Sequence, residues 1–308
     1  MHVAIIGMGA LGRVYGVRLQ LRASCDVTYV VRPGRASVPL NLTRIDGDGA
    51  VEAVAAPTVD VRVPESADVI LVCVRAEQLD GGLDALLQAS PDVPIVMLTP
   101  VLPHDLARMT SVHGARVRVA MPGVVAYMTE RDTCRYWLPK VAPTLIDAAP
   151  PVPGAVVELE RALTKAGFVG RLELGVHETN PATTISFMPL AMGVDAAGGI
   201  DALVADKDLL RLTLAAVAEG LALAAKIGKA PAWVDLLARF AGPTALKIGL
   251  GIARSRAPEA LAYVEEHFGR KLHAQNVQMA RAIVALAAEK GTPRAALEKL
   301  LLQLEQPG

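Results

Sequence analysis

Apolar positions run along this chain in two rhythms. In the first half they come as short blocks. HVAIIG at 2–7 is a β-branched run ending on glycine, VYGVRLQL at 14–21 repeats its apolar positions every three to four residues, and DVTYVVR at 26–32 is a block again. ADVILVCV at 67–74, PIVMLT at 94–99 and RVRVAM at 116–121 continue the series, with the helix-spaced EQLDGGLDALLQA at 77–89 between them. Continuous short runs read as strands buried on both faces and the 3.6-type spacing as helices lying on them. Strand and helix in alternation predict an α/β fold with a Rossmann-type, doubly wound parallel sheet.

After about residue 155 the rhythm changes. VVELERALTKAG at 156–167 reads as one amphipathic helix ending at Gly167, and from about 178 onward the chain is rich in alanine and leucine at helical spacing. Asn180-Pro181, an N-cap followed by a first-turn proline, predicts one helix start and Thr292-Pro293 predicts another. The Pro-rich APPVPG at 149–154 reads as a stiff turn near the end of the first domain. The expected organisation is a sheet domain over 1–173 and a second, all-α domain over 174–308. The most membrane-like stretch, 181–205, is broken by Pro189, Asp195, Gly198, Gly199 and Asp201, whereas a spanning helix needs about 20 predominantly apolar residues. It reads as a buried core helix, with no membrane partner.

Composition narrows the function classes. Thirty-one basic and 31 acidic side chains balance, so no global field draws nucleic acid or an anionic membrane, and a small-molecule substrate becomes the default partner. Cys25, Cys73 and Cys134 are too scattered for a disulfide framework or a zinc site, which fits a reducing, cytoplasmic location. The histidines show no metal-ligand spacing, and Trp137 and Trp233 are too few for a nucleic-acid stacking platform. MHVAIIG has no basic leader and flows directly into a glycine motif.

That motif, Gly7-Met8-Gly9-Ala10-Leu11-Gly12, matches GxGxxG between a strand and a helix. The first glycine serves the tight turn, the second the approach of a pyrophosphate to the backbone, and the third close helix–strand packing. Helix-terminal N–H groups then receive the phosphate. Where an NAD site places an acid after the second strand, this chain has Val31-Arg32-Pro33-Gly34-Arg35, and Arg32 there favours a 2′-phosphate, hence NADP. A solvated basic loop is the competing reading. Arg75, after the strand ILVCV, is a second cofactor candidate.

With these residues in place the sequence resembles the ketopantoate reductase family, NADPH-dependent reductases of 2-keto acids. GMGALG, Arg32 and ADVILVCVRAEQL, with Arg75 where the family usually has lysine, fit its N-terminal half. VAEGLALAAKIG around Glu219, the set Glu265, Gly269 and Arg270, and Thr292-Pro293 fit its helical domain. The resemblance implies a helical domain that closes over the nicotinamide and supplies a homodimer contact.

The catalytic positions depart from the family. Its Gln-Asn-Gly is replaced by Thr99, Pro100 and Val101, its serine region reads Ala260-Leu261-Ala262, and TTISFMPLAMGVDAAGG at 183–199 holds no lysine. Phe187, Met188 or Pro189 takes the lysine's place according to register, and none of them donates a proton. In the Phe187 register Asp195 replaces an asparagine; it reads either as a helix-interior acid bonded to backbone or an arginine, or as a carboxyl poised to act as an acid. Counting from Gly269-Arg270 puts His273 where the family has its substrate-binding glutamate. It reads as a proton donor near neutral pH or as a surface histidine before a helix.

The expected function is hydride transfer from NADPH to a carbonyl or imine carbon, with protonation by His273, Asp195 or water. Ketopantoate itself is a poor expectation, since its carboxylate and hydroxyl would meet Thr99, Pro100 and Leu261, and a more apolar substrate fits better. The alternative from another class is a non-catalytic NADP-binding sensor or partner subunit, favoured by the joint loss of lysine, asparagine and serine.

Overall fold

The computed structural model describes residues 1–46, 49–129, 133–139, 142–229 and 272–306, and the chain divides into two compact units, Met1–His177 and Glu178–Gly308. The first is built on an eight-stranded sheet. Its strands are β1 (His2–Ile6), β2 (Asp26–Val30), β5 (Thr58–Asp60), β6 (Val69–Val72), β7 (Ile95–Met97), β8 (Val117–Met121), β11 (Thr144–Asp147) and β12 (Gly170–Glu173). Their order across the sheet is β12-β11-β8-β7-β6-β1-β2-β5. Neighbours are parallel except β8 and β11.

Alternation within the central strands explains why they read as unbroken apolar runs. Val3, Ile5, Val69, Leu71 and Val96 point to one core, which takes Val14 and Val17 from α1 (Ala10–Ala23) and Val156 and Leu159 from α4 (Gly154–Lys165). Ala4, Ile6, Ile70, Val72, Ile95 and Met97 point to the other, with Leu83 and Leu87 of α2 (Gly81–Gln88) and Met109 of α3 (Pro103–His113). A sheet buried on both faces leaves no polar side to alternate with. Helix α4 ends as its sequence predicts: Gly167 takes φ +85°, and the Phe168 amide donates back to the Leu163 carbonyl at 3.0 Å.

A second, four-stranded sheet, β4-β3-β10-β9, is absent from the pattern reading; its strands are β3 (Leu40–Arg44), β4 (Val51–Val54), β9 (Val125–Met128) and β10 (Cys134–Trp137). It is tied to α1 by a buried cluster. Arg18 donates to both Glu52 carboxylate oxygens at 3.0 and 2.9 Å and to the Tyr136 hydroxyl at 2.7 Å, and Tyr136 in turn donates to Glu52 at 2.7 Å. Burial alone would raise the Glu52 carboxyl; the Tyr136 hydrogen bond and the Arg18 and Arg22 charges outweigh it and hold the group below its ordinary value.

The second unit is helical where described: α5 (Val176–Ala197, whose first two residues belong to the first unit), α6 (Ile200–Ala205), α7 (Lys207–Ile227), α8 (His273–Glu289) and α9 (Ala295–Glu305). Helix α5 corrects the expected start at Asn180-Pro181. It begins at Val176, and both Pro181 and Pro189 lie inside it. Each proline removes one amide donor, and the Thr183, Thr184 and Ser186 hydroxyls donate to the carbonyls four residues back, at Thr179, Asn180 and Ala182. At Gly220 α7 comes so close that a Cβ would lie 3.0 Å from Pro189 Cγ and 3.1 Å from the Ile185 carbonyl oxygen. Helix α9 opens just after Thr292-Pro293, and its first-turn amides of Ala296 and Leu297 donate to the Glu219 carboxylate at 2.9 Å. Among the described residues no helix is long and apolar enough to cross a membrane.

Candidate functional site

In the first unit the parallel register brings the carboxyl ends of four strands to one edge: Ile6 is level with Val30 and Val72, and Val72 with Met97. Gly7, Arg32, Arg75 and Thr99 follow these strands. The chain leaves β1 for β2 on one side and later returns to β6 on the other, so this edge holds the sheet's topological switch point, where open α/β sheets bind ligands.

The glycine loop has the required local geometry. Gly7 adopts φ +103°, and a Cβ there would sit 2.7 Å from the Cys73 carbonyl oxygen. A Cβ on Gly12 would lie 1.9 Å from the Gly7 carbonyl oxygen, so only glycine lets α1 start this close to β1. Gly9 differs: a Cβ would meet nothing within 4 Å, and Gly9 is the N-cap of α1, with no side-chain cap and no acid in the first turn. The amides after Met8-Gly9, at Ala10 and Leu11, therefore open a 14-residue helix whose positive end no side chain of the helix neutralises. That is the cradle a dinucleotide pyrophosphate requires, and the residues fit the group.

Around the loop the candidates have different partners. Arg32 is exposed just past β2, where its carbonyl accepts from the Arg35 amide at 3.2 Å. Arg75 is also exposed, but its Nε pairs with Glu77 Oε1 at 2.8 Å and its amide donates to Gln78 Oε1 at 3.1 Å. Thr99 is fully buried and its hydroxyl donates to the Val74 carbonyl at 2.8 Å, so it serves the strand ends. Cys73, beneath the loop, is pushed up to about 12 by burial and is a neutral thiol.

In the second unit the two ionisable candidates, 78 positions apart, come together. Asp195 Oδ2 lies 3.1 Å from His273 Nδ1 and accepts from Asn276 Nδ2 at 2.9 Å. The Asp195 side chain is 2 % exposed and that of His273 49 %. Helix packing sets this up. Gly193 presses on Thr213 of α7, where a Cβ would lie 2.3 Å from the Thr213 hydroxyl. Asp195, two residues on and so turned by about 200°, projects to the start of α8. Of the readings for the lysine's place, Pro189 packs on α7 at Gly220, whereas Met188 and Ala191 share Asp195's side of the helix by the 3.6 period. Asn276 was not foreseen; it stands three residues after His273 with no motif to mark it. Ala260, Leu261, Ala262, Glu265, His267, Gly269, Arg270 and Trp233 lie outside the described residues.

Residues 3–125 match the family described as Ketopantoate reductase PanE/ApbA. A comparison with curated proteins by sequence finds no match. Among solved structures, 2-dehydropantoate 2-reductase from Geobacter metallireducens GS-15 is 19 % identical over 99 % of both chains with a TM-score of 0.71. The dimeric ketopantoate reductase from Staphylococcus aureus is 14 % identical over 99 % of this chain and 97 % of its own, with a TM-score of 0.69. D-mandelate dehydrogenase, in a ternary structure with NADH and anilino(oxo)acetate, is 15 % identical over 99 % and 97 %, with a TM-score of 0.64. At these identities the structural likeness concerns the fold.

Proposed function

Because the chain carries a ketopantoate reductase PanE/ApbA family domain over residues 3–125 on the fold of solved ketopantoate reductases, we propose that it is an NADP(H)-dependent oxidoreductase that reduces a carbonyl or imine substrate more apolar than ketopantoate. The observation that carries this is the open, uncapped start of α1 at Gly9, with Arg32 following the next strand. Bound there, the cofactor would supply a hydride. Residues 7–12 would hold its pyrophosphate, and Arg32, with Arg75 beside β6, would meet its remaining anionic groups. One solved protein of this fold is recorded with NADH, so the fold alone does not choose between the two nicotinamide cofactors; Arg32 is the residue that would. The helical part, from 174 on, would carry substrate recognition, a proton donor in His273 or Asp195, and a homodimer contact of the sort the dimeric neighbour suggests. A cytoplasmic location accords with this.

The substrate reading follows from what the site lacks. Among the described residues, Thr99 has its hydroxyl committed to Val74 and 187–189 offer no ammonium, so at these positions a substrate carboxylate would be desolvated without a partner. The same losses favour a second reading, a binding protein that senses NADPH without turning it over. Calorimetry with NADPH and NADH, followed by NADPH oxidation across 2-keto acids, simple ketones and cyclic imines, tests both. NADPH should bind about tenfold or more tightly, because a charge-assisted contact contributes roughly 1.5–3 kcal/mol, and Arg32→Ala should abolish that preference. Equal affinities in the unaltered protein would exclude the NADP assignment, and tight binding with no turnover on any class would favour the sensor.

A further inference from the structure

Asp195 and His273 enter that reading as alternative sources of one proton, yet their contacts join them. Asp195 Oδ2 faces two nitrogens at once, His273 Nδ1 at 3.1 Å and Asn276 Nδ2 at 2.9 Å. An amide nitrogen only donates, so this oxygen is an acceptor. The opening of α8 suits an acceptor there: His273 and Asn276 stand in its first turn, which contains no acid of its own. Opposite an acceptor, Nδ1 must carry hydrogen. Nε2, across the ring, is turned away from the carboxylate on a side chain that is half exposed.

We propose that Asp195 and Asn276 are positioning residues that hold His273 with its hydrogen on Nδ1 and thereby reserve Nε2 for proton exchange with the substrate. The chemical half of this rests on the reductase reading; the tautomer rests on the contacts alone. In the reduction, the substrate carbon gains hydride while its oxygen takes the proton from Nε2. The N–H bond breaks as the O–H bond forms, and the imidazolium becomes a neutral ring that keeps its Nδ1 hydrogen. Water then returns a proton to Nε2. Asp195 gives up no proton in this step, so it is the partner of the acid and not a second acid. Asn276 occupies the lone pair of Asp195 that could otherwise rotate toward solvent, and it ties the carboxylate to the same helix that bears the histidine.

The test is nitrogen NMR on the full-length protein labelled at histidine, with His273→Gln identifying the resonances. At alkaline pH the neutral ring of His273 should carry its hydrogen on Nδ1, whereas free imidazole side chains favour Nε2. Asp195→Asn should return it to the Nε2 form, and Asn276→Ala should shift the population partway. A hydrogen on Nε2 in the unaltered protein, or a tautomer indifferent to Asp195→Asn, overturns the proposal. If Asp195→Asn fails to fold, the unaltered protein and Asn276→Ala still decide. On any substrate that turns over, Asp195→Asn should lower kcat about 10²-fold with little change in KM. An Nδ1 tautomer without turnover upholds the positioning device and removes the reductase reading; turnover with an Nε2 tautomer does the reverse.

Discussion

Gly9 and Gly12 stand three residues apart in one loop and answer to different demands. At Gly12 a methyl group would lie 1.9 Å from the Gly7 carbonyl oxygen, a backbone collision with no flexible side chain to yield. Gly12→Ala should cost at least the roughly 1–3 kcal/mol of ordinary overpacking, read as a lowered melting temperature. At Gly9 the backbone, φ −81° and ψ −167°, suits alanine and nothing lies within 4 Å. Gly9→Ala should keep the melting temperature, since surface changes fall within about 0.5 kcal/mol, yet weaken NADPH tenfold or more by filling the approach to α1. Calorimetry beside thermal unfolding separates the two effects, and wild-type affinity in Gly9→Ala would remove the pyrophosphate from this loop. Both glycines are legible in the sequence because the motif assigns each a role. The contact of Asp195 with His273 and Asn276 is not, because 78 positions separate its partners and no local rule connects them.

Helices α7 and α9 show the same contrast one level up. Glu219 was visible as an anchor of the resemblance, but its work is local: its carboxylate receives the Ala296 and Leu297 amides at 2.9 Å and caps α9 from another helix. Glu219→Ala leaves those amides unpaired and should cost about 1 kcal/mol, within the 0.5–2 range of lost caps. The denaturant midpoint should fall and amide exchange should quicken in the first turn of α9 above all. Uniform quickening across the unit would argue against a cap. Strands β6 and β7 were legible because burial on both faces leaves an unbroken apolar run, and β1, β2 and β8 because few polar positions, such as Thr28 and Arg118, interrupt theirs. Strands β3, β4 and β10 were not, because polar positions such as Asn41, Glu52 and Arg135 alternate with the apolar ones. In α5 the pair Asn180-Pro181 carries the local signature of a helix start, although the helix begins at Val176 and runs through it.

Across the first unit the buried carboxylate Glu52 should contribute to the acid limit of stability. Glu52 is buried and held below its ordinary value of 4.5 when folded. The unfolded chain therefore takes up this proton first as pH falls. The stabilisation is whole above about pH 4.5 and is lost as pH drops through the lower, folded value. Urea midpoints at pH 7 and pH 3.5 should differ more in the natural protein than in Glu52→Gln. The variant should also be weaker at pH 7 by about 3 kcal/mol, as when one partner of a buried pair is removed. Equal pH sensitivity in both would clear Glu52. The sheet that carries it is assembled from distant sequence: β3 takes as its parallel partner β10, Leu42 lying beside Cys134. A ribosome delivers the chain from its N-terminus, so the β3–β4 hairpin must wait with one edge open until the segment through Trp137 has emerged. An open, apolar edge is an invitation to pair with another chain. A fragment ended at residue 125, where the family match stops, would hold that edge open permanently, with Leu42, Thr43 and Arg44 lacking their partners in β10.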